Sequence, residues 1–426
     1  MTGREVLLRG ELKRDRKASL YIWSGDCPYK PKGMPHIIHC IIHNLVYDQR
    51  LHKLALTTRQ VGVTEVIGII SPRTKANLPG RPYSVRRLWV PVGRGPLFFL
   101  IANLRFFLHL LLRRRWDAVI ASDLAALPGC WLAAKLRRKV ILLDSRELFT
   151  QTPFLVHRPL VRWLWERAER FLYARVHYTI TVSPPIARYF ERKYRRPVWL
   201  VYNFPPRGQA FASPCLADKL LLYQGMLHPY RGLEELILAL REVAEWKLWI
   251  IGDGPLRSSL EHLVEKERLG SRVQFFGIVP FELLERYTRR ATFGVSGEIP
   301  VGLNHKYALP NKLFDYLREG IPVLGGEAPL VQRVIRHYEC GKVIAPWTPG
   351  NIVQILQGLS QAEEEYKVWV EGARRAAQDL HWEKQAPCIH AWVSYALSRS
   401  PLPPQREVGS CASIQAFSTL LESSEV

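Results

Sequence analysis

Lys312 and Asp315 stand about one helical turn apart in Leu309-Pro310-Asn311-Lys312-Leu313-Phe314-Asp315-Tyr316, a segment closed by Gly320-Ile321-Pro322-Val323. Pro310 has a fixed φ suited to a first helical turn, where its missing N–H costs nothing. Leu313, Phe314 and Leu317 give the helix an apolar face, Gly320 stops it, and Ile321-Pro322-Val323-Leu324 starts a buried strand. Such a helix opens with unpaired N–H groups and the positive end of its dipole, a site suited to phosphate. Lys312 adds a mobile positive charge at that end, and Asp315 can accept two hydrogen bonds from a diol. Together they suit the two halves of a nucleoside diphosphate. Taken alone, the segment reads equally well as a plain core helix with a surface lysine and aspartate.

Two further stretches end strands in the same half of the chain. In Tyr223-Gln224-Gly225-Met226-Leu227-His228-Pro229-Tyr230-Arg231-Gly232, Gly225 lets backbone approach a ligand and Arg231 can pair bidentately with a diphosphate. Ile251-Gly252-Asp253-Gly254-Pro255 closes another strand. A glycine pair after a strand is weak by itself, because tight turns use it too. Three such features at the carboxyl ends of strands in one domain converge on one rim, which favours a nucleotide site.

The elements that hold them alternate. Ile37-Ile38-His39-Cys40-Ile41-Ile42, Val63 to Ile70, Asp117 to Ala121, Val140 to Leu143 and Tyr178 to Val182 read as strands separated by helical patterns. Continuous apolar strands in a βαβα rhythm mean a parallel sheet covered on both faces. The rhythm breaks near Phe204-Pro205-Pro206-Arg207-Gly208 and restarts at Leu220-Leu221-Leu222-Tyr223. The expected organisation is a basic extension over 1–35, a Rossmann-like domain over 36–203, a linker over 204–217, a second Rossmann-like domain over 218–380, a helix returning to the first domain over 381–399, and a disordered tail over 400–426. The fold class is α/β, two doubly wound domains facing a central cleft.

Lys+Arg total 60 against Asp+Glu 38 in 426 residues, a formal net charge of +22. An excess this large implies an anionic partner: a phosphorylated ligand, an acidic membrane surface or nucleic acid. Nucleic acid is the weakest of these, since no zinc-finger, RNP or KH pattern occurs and the basic residues are spread along the chain. The 7 cysteines are scattered and form no CxxC, which suits reduced thiols in the cytoplasm. Pro96 to Leu112 is very apolar and ends in Arg113-Arg114-Arg115-Trp116, but Arg105 and His109 interrupt it. That excludes a spanning helix. It leaves a helix packed on a sheet, or one whose outer face touches lipid.

Tyr223-Gln224-Gly225, Arg231-Gly232-Leu233-Glu234, Ile251-Gly252-Asp253-Gly254-Pro255, Phe276-Gly277-Ile278-Val279-Pro280 and Pro310-Asn311-Lys312-Leu313-Phe314-Asp315-Tyr316 resemble, in order and spacing, the motifs of family 4 (group 1) glycosyltransferases. The resemblance extends to Asn44-Leu45-Val46-Tyr47-Asp48-Gln49-Arg50, to Asp144-Ser145-Arg146-Glu147 and to His381-Trp382-Glu383-Lys384-Gln385. It implies the GT-B fold, with the donor nucleotide sugar in the C-terminal domain. It assigns the donor diphosphate to Arg231 and Lys312, aided by N–H groups around Asn311 and Leu313. Ribose goes to Asp315, where the family usually has Glu, the base to the backbone near Val279, Gly225 sits beneath the phosphates, and Gly252 belongs to the same donor site. Asn304 or Glu298 would meet the sugar. Arg146 replaces a histidine that relatives place in the cleft, and is expected to stabilise leaving-group or acceptor charge. Asn44, Asp48, Arg50 and Glu147 would lie on the acceptor side. Met226 stands where many relatives carry a second phosphate-binding arginine, and Tyr307 where they carry an acid.

The expected function is transfer of a sugar from a nucleotide-diphosphate sugar to a glycan, lipid-linked or other acceptor. Retention of configuration is expected, with no metal and no cofactor. The expected place is cytoplasmic, peripheral on the inner face of an anionic membrane. The alternative is a nucleotide-sugar-binding pseudoenzyme, motivated by Arg146 and Tyr307.

Overall fold

Strands without charged residues must be covered on both faces, and that requirement organises the molecule. The structure, a computed structural model, describes residues 33–42, 45, 48–74, 80–152, 155, 158–359, 362–405 and 412–422. Among these, β1 (His36–Ile41), β2 (Val63–Ile70), β3 (Ser84–Trp89), β4 (Ala118–Ser122), β5 (Val140–Ser145), β6 (Tyr178–Thr181) and β7 (Val198–Leu200) form a parallel sheet in the order β3-β2-β1-β4-β5-β6-β7. Neighbouring residues alternate between its faces. Ile38, Cys40, Val119, Ala121 and Leu143 enter one core with the Pro96–Leu112, Asp123–Leu136 and Pro184–Tyr194 helices. Ile37, Ala118, Ile120 and Leu142 enter another, under the Ala386–Leu397 helix.

The second sheet joins β8 (Leu220–Gln224), β9 (Lys247–Ile251), β10 (Val273–Gly277), β11 (Phe293–Ser296), β12 (Val323–Gly325) and β13 (Gly341–Val343) in the order β10-β9-β8-β11-β12-β13. Strand order reverses between β1 and β4, and again between β8 and β11. Ligands of doubly wound sheets bind beyond the carboxyl ends of strands at such reversals. The two-domain reading therefore holds. Two strands had escaped it: β3, an exposed edge whose Arg86 and Arg87 hide the pattern, and β7, which is only 3 residues long.

Residues 382–385 of the returning segment contact the first domain. Trp382 Nε1 donates to Thr57 Oγ1 at 2.8 Å, and the Gln385 side chain bonds both the N–H (2.6 Å) and the carbonyl (3.0 Å) of Tyr202. The linker is packed rather than loose. Phe204 is fully buried, stacked on Tyr202 and edge-on to Phe314.

The expectation of a disordered tail over 400–426 is corrected. Trp199 Nε1 donates to the Pro403 carbonyl, and Gln405 bonds Leu200 at both its N–H and its carbonyl. Ala412–Glu422 is a helix whose Ile414, Phe417 and Leu421 are buried. Its apolar spacing of 3 and 4 residues was masked by the surrounding proline and serine content. The helix packs on both Pro184–Tyr194 of the first domain and Pro329–Tyr338 of the second. Of the basic extension, only residues 33–35 are among those described.

Candidate donor site and interdomain cleft

The β8 and β9 turns meet backbone to backbone. A Cβ on Gly252 would lie 1.8 Å from the Gly225 carbonyl oxygen, and Gly252 has φ +141°, so no other residue fits there. Gly252 thus builds the rim by close packing rather than by offering space to a donor. Gly225, also at positive φ (+139°), differs: a Cβ there would meet only Tyr223 Oη at 3.7 Å. That open side is where a ligand can approach.

Lys312 and Arg231 come together as expected, and Glu298 joins them. Lys312 Nζ lies 2.7 Å from Glu298 Oε1, and Arg231 NH1 lies 3.6 Å from the same oxygen. Ser296 Oγ donates to Glu298 Oε2 at 2.6 Å. Burial pushes the Glu298 carboxyl up, but Lys312 and Arg231 outweigh it and hold the group below the usual carboxylate range. Lys312 is buried, sits 3.9 Å from the centroid of the Tyr223 ring, and has Glu298 as its one carboxylate partner among the described residues. A buried ammonium beside one shared carboxylate leaves net positive charge at the rim. Met226, whose carbonyl accepts from Tyr223 Oη at 2.9 Å, is exposed and brings no charge.

The Asn311–Arg318 helix behaves partly as anticipated. Pro310 caps it with φ −68°, and Phe314 and Leu317 face the core. Leu313 is a correction: its side chain is fully buried and its N–H donates to the Pro310 carbonyl at 3.2 Å, so that amide is engaged. Asn311 is exposed, and its Oδ1 accepts from Asn203 Nδ2 at 2.7 Å. Asp315 Oδ2 accepts from Gln224 Nε2 at 3.2 Å, and Gln224 Oε1 accepts from Thr288 at 3.0 Å. Burial raises the Asp315 carboxyl, opposed by Lys53 and Arg318. Val279 is half-buried against the core beneath this helix.

Lys53, from the first domain, was not singled out from sequence. Its Nζ donates to the Phe204 and Asn203 carbonyls and lies 4.9 Å from the centroid of the Trp382 ring. Burial pulls its ammonium down to about 7, with Asp315 pulling the other way. No local motif announces it, because its partners are the linker and the returning segment.

The first domain's rim is a different assembly. Arg50 is buried and clamps Asp144: Nε at 2.9 and 3.1 Å, NH2 at 2.6 Å, while NH1 donates to the Val201 carbonyl at 2.8 Å. This corrects its acceptor-side assignment, since every donor direction points into the protein. Arg146 is held by Asp48, by Asp144 (3.0 Å) and, more distantly, by Asp123 (4.0 Å). Burial works against its charge and the three carboxylates more than restore it. The expectation of a guanidinium free for leaving-group charge is therefore corrected: its Nε and NH1 are occupied by carboxylates. Asp48 also caps the Gln49–Thr58 helix, accepting from Leu51 N at 2.7 Å. Asn44 lies outside the described residues.

Two residues of the second domain close the cleft. Asn304 Oδ1 accepts from Leu148 N at 3.0 Å, and Asn304 Nδ2 donates to Glu147 Oε2 at 3.3 Å. Asn304 thus ties the domains together rather than standing open to a sugar. Burial and the nearby Asp123 push the Glu147 carboxyl up to about 7, against Asn304 and Arg146. Tyr307, in the position of an expected acid, packs on the first domain's core, and its carbonyl accepts from Ser183 Oγ at 2.8 Å.

The two halves match two family models: "Glycosyl transferase 4-like domain" over residues 50–203 and "Glycosyl transferases group 1" over residues 214–376. A lipopolysaccharide core biosynthesis glycosyltransferase, LpsD of Rhizobium meliloti (strain 1021), is 30% identical over 112 residues. That match covers 25% of this chain and 33% of the relative, so the chain spans about one third of the curated protein it matches. Among solved structures, sucrose-phosphate synthase from Thermosynechococcus elongatus superposes with a TM-score of 0.66 at 17% identity, covering 86% of this chain and 100% of that one. Anabaena HepE, solved with UDP and glucose, superposes with a TM-score of 0.67 at 14% identity, again covering 86% and 100%. These likenesses establish the GT-B fold. With both halves matched in the expected order, the chain belongs to the group 1 glycosyltransferases.

Proposed function

We propose that the protein transfers a glycosyl unit from a nucleoside-diphosphate sugar to a glycan or lipid-linked acceptor, with retention at the anomeric carbon. The observation that carries this reading is Lys312, a buried cation whose one carboxylate partner among the described residues, Glu298, is shared with Arg231. A pyrophosphate entering between them would take the hydrogen bonds that Glu298 does not, and negative charge developing on the departing phosphate would meet fixed cations. In the same reading Asp315, which accepts from Gln224, takes the ribose diol, and the backbone near Val279 takes the base. In this reading Arg231 and Lys312 supply the positive charge that the leaving group requires. The UDP and glucose held by the HepE structure support the donor class by analogy of fold. The acceptor would enter from the first domain, and the location proposed is cytoplasmic, peripheral on an anionic membrane surface.

A thermal-shift panel of nucleoside diphosphates and their sugars tests the donor reading. At least one is expected to raise the melting temperature of the wild type and not of Arg231→Ala or Lys312→Ala. A panel with no stabilising nucleotide would overturn it. A second reading, donor binding without turnover, is favoured by the carboxylate cage around Arg146 and by Tyr307 in place of an acid. Binding with no transfer or hydrolysis across donors and acceptors would establish that second reading.

A further inference from the structure

Helices Pro96–Leu112, Asp123–Leu136 and Pro159–Tyr173 form one layer on the β1–β7 sheet. They interlock: Asn103 donates to the Ala125 carbonyl and accepts from Gly129 N, each at 2.9 Å. Phe99 meets Trp165 at 5.6 Å between ring centroids, and Trp131 meets Phe171 at 5.4 Å. The first helix buries Ala102, Phe106 and Leu110. Leu100, Leu104, Leu108 and Leu112 each lie two positions from one of these, about 200° round a helix of 3.6 residues per turn. They therefore point away from the sheet, and all four are exposed, Leu112 by 79%. A helix facing water carries polar residues on that side; this one carries leucine.

The pattern continues across the layer. Pro159–Tyr173 buries Glu169, Leu172 and Tyr173 and exposes Leu160, Trp163, Leu164 and Phe171. Leu132 and Leu136 are exposed on the helix between. An apolar surface this continuous marks an interaction site.

Its charges identify the partner. No acidic residue occurs from Arg94 to Trp116. Arg105, Arg114 and Arg115 are exposed and make no ion pair among the described residues. Arg167 lies over the Trp163 ring at 4.6 Å, Arg175 over Phe171 at 3.7 Å, and Lys135 over Trp131 at 5.0 Å. A ring with a cation above it suits the headgroup level of a bilayer, ring toward the acyl chains and charge toward phosphate. A second copy of the chain would bring like charge against like charge across a two-fold contact. No helix among the described residues is long and apolar enough to cross a membrane.

We infer that this layer is a docking face for an anionic lipid bilayer, with the helices lying in the interface. In a parallel sheet the covering helices begin at the strands' carboxyl ends, so one end of the layer shares the cleft rim with Asp144 and Glu147. A membrane-borne acceptor could then reach the cleft without leaving the bilayer surface. That purpose rests on the glycosyl-transfer reading; the docking itself does not.

The test is co-sedimentation of the full chain with vesicles of phosphatidylcholine alone or mixed with phosphatidylglycerol, at two salt concentrations. Sedimentation velocity without vesicles and donor thermal shift are measured on the same samples. The wild type is expected to pellet with anionic vesicles, less at higher salt, and to stay in solution with phosphatidylcholine alone. The variant R105Q/R114Q/R115Q should partition roughly a hundredfold more weakly, at about one kcal/mol per charge. L104E/L108E should also release the protein, and both variants should melt and bind donor like the wild type, because the changed side chains are exposed. Wild type that ignores anionic vesicles overturns the inference, as do variants that pellet unchanged. It is equally overturned by a vesicle-free dimer that L104E/L108E dissociates, which would assign the face to a second copy. Loss of donor binding in every sample would count against the donor site and leave the docking result standing.

Discussion

The two strand-end rims that face each other across the cleft solve opposite charge problems. On the first domain, Asp48, Asp123 and Asp144 surround Arg50 and Arg146, and the guanidiniums are consumed by carboxylates and one carbonyl. On the second, Arg231 and Lys312 share Glu298. Both rims lie where strand order reverses, so topology does not distinguish them. Charge balance does: a site that has neutralised its cations is rigid, and one that has not is ready for an anion. The same residue type, arginine or lysine at a strand end, is therefore neutralised as scaffold on one side and left in excess of its carboxylate on the other.

The largest effect expected from breaking this contrast is at Asp144. It is fully buried, and Asp144→Asn leaves the Arg50 and Arg146 charges short of a partner, at a cost of about 3–5 kcal/mol of stability. Urea titration measures it. A loss under about 1 kcal/mol would show that the clamp is not structural. Next is Phe417→Ala, whose ring lies 5.1 Å from Tyr202, 5.5 Å from Phe204 and 6.4 Å from Phe314. Truncating it removes about 3 kcal/mol. Because Phe314 sits on the same helix as Lys312, donor affinity should fall along with stability; an unchanged affinity would show that the two rims are independent of the C-terminal helix. Lys312→Ala should weaken donor binding by about 1.5–3 kcal/mol, roughly ten- to a hundredfold. It also strands Glu298, so Lys312→Ala/Glu298→Gln is the sharper variant. Melting should recover toward the wild type while affinity stays low. Recovery of affinity as well would sink the idea that Lys312 contacts the donor.

What was legible in the sequence follows the same divide. The placement of Gly225, Arg231, Lys312 and Asp315 is readable because it depends on position beside a strand end or helix start, a local property. The roles of Arg50 and Arg146 were not legible, since their partner Asp144 lies on another strand and only the folded sheet shows how many carboxylates converge. Arg146 drew attention by replacing a histidine, but its three counter-charges did not. Asn304 was misjudged because it bonds across the domain boundary, and Lys53 was passed over because its partners are the linker carbonyls and the returning segment. The helix at 412–422 was lost to composition, with Ile414, Phe417 and Leu421 set among serines. β3 was lost to its arginines, which an exposed edge tolerates.

The smallest predicted effect sits where the two rims touch. Burial lifts the Glu147 carboxyl to about 7, and Asn304 bonds it from the opposite domain. A carboxyl raised in the folded state favours its neutral form. Its contribution is thus fully present below the ordinary glutamate range near pH 4.5 and is lost as pH rises through about 7. Wild type should therefore lose melting temperature between pH 5.5 and pH 8 relative to Glu147→Gln, whose amide cannot ionise. An Asn304→Ala variant should lower the stability of the closed arrangement without removing that pH dependence, because burial rather than the amide is the main cause of the shift. A constant wild-type-minus-Gln difference across that range would mean that Glu147 is ionised throughout. The meeting point of the domains would then be held by a charged hydrogen bond, not by a carboxyl poised to change state as the cleft opens and closes.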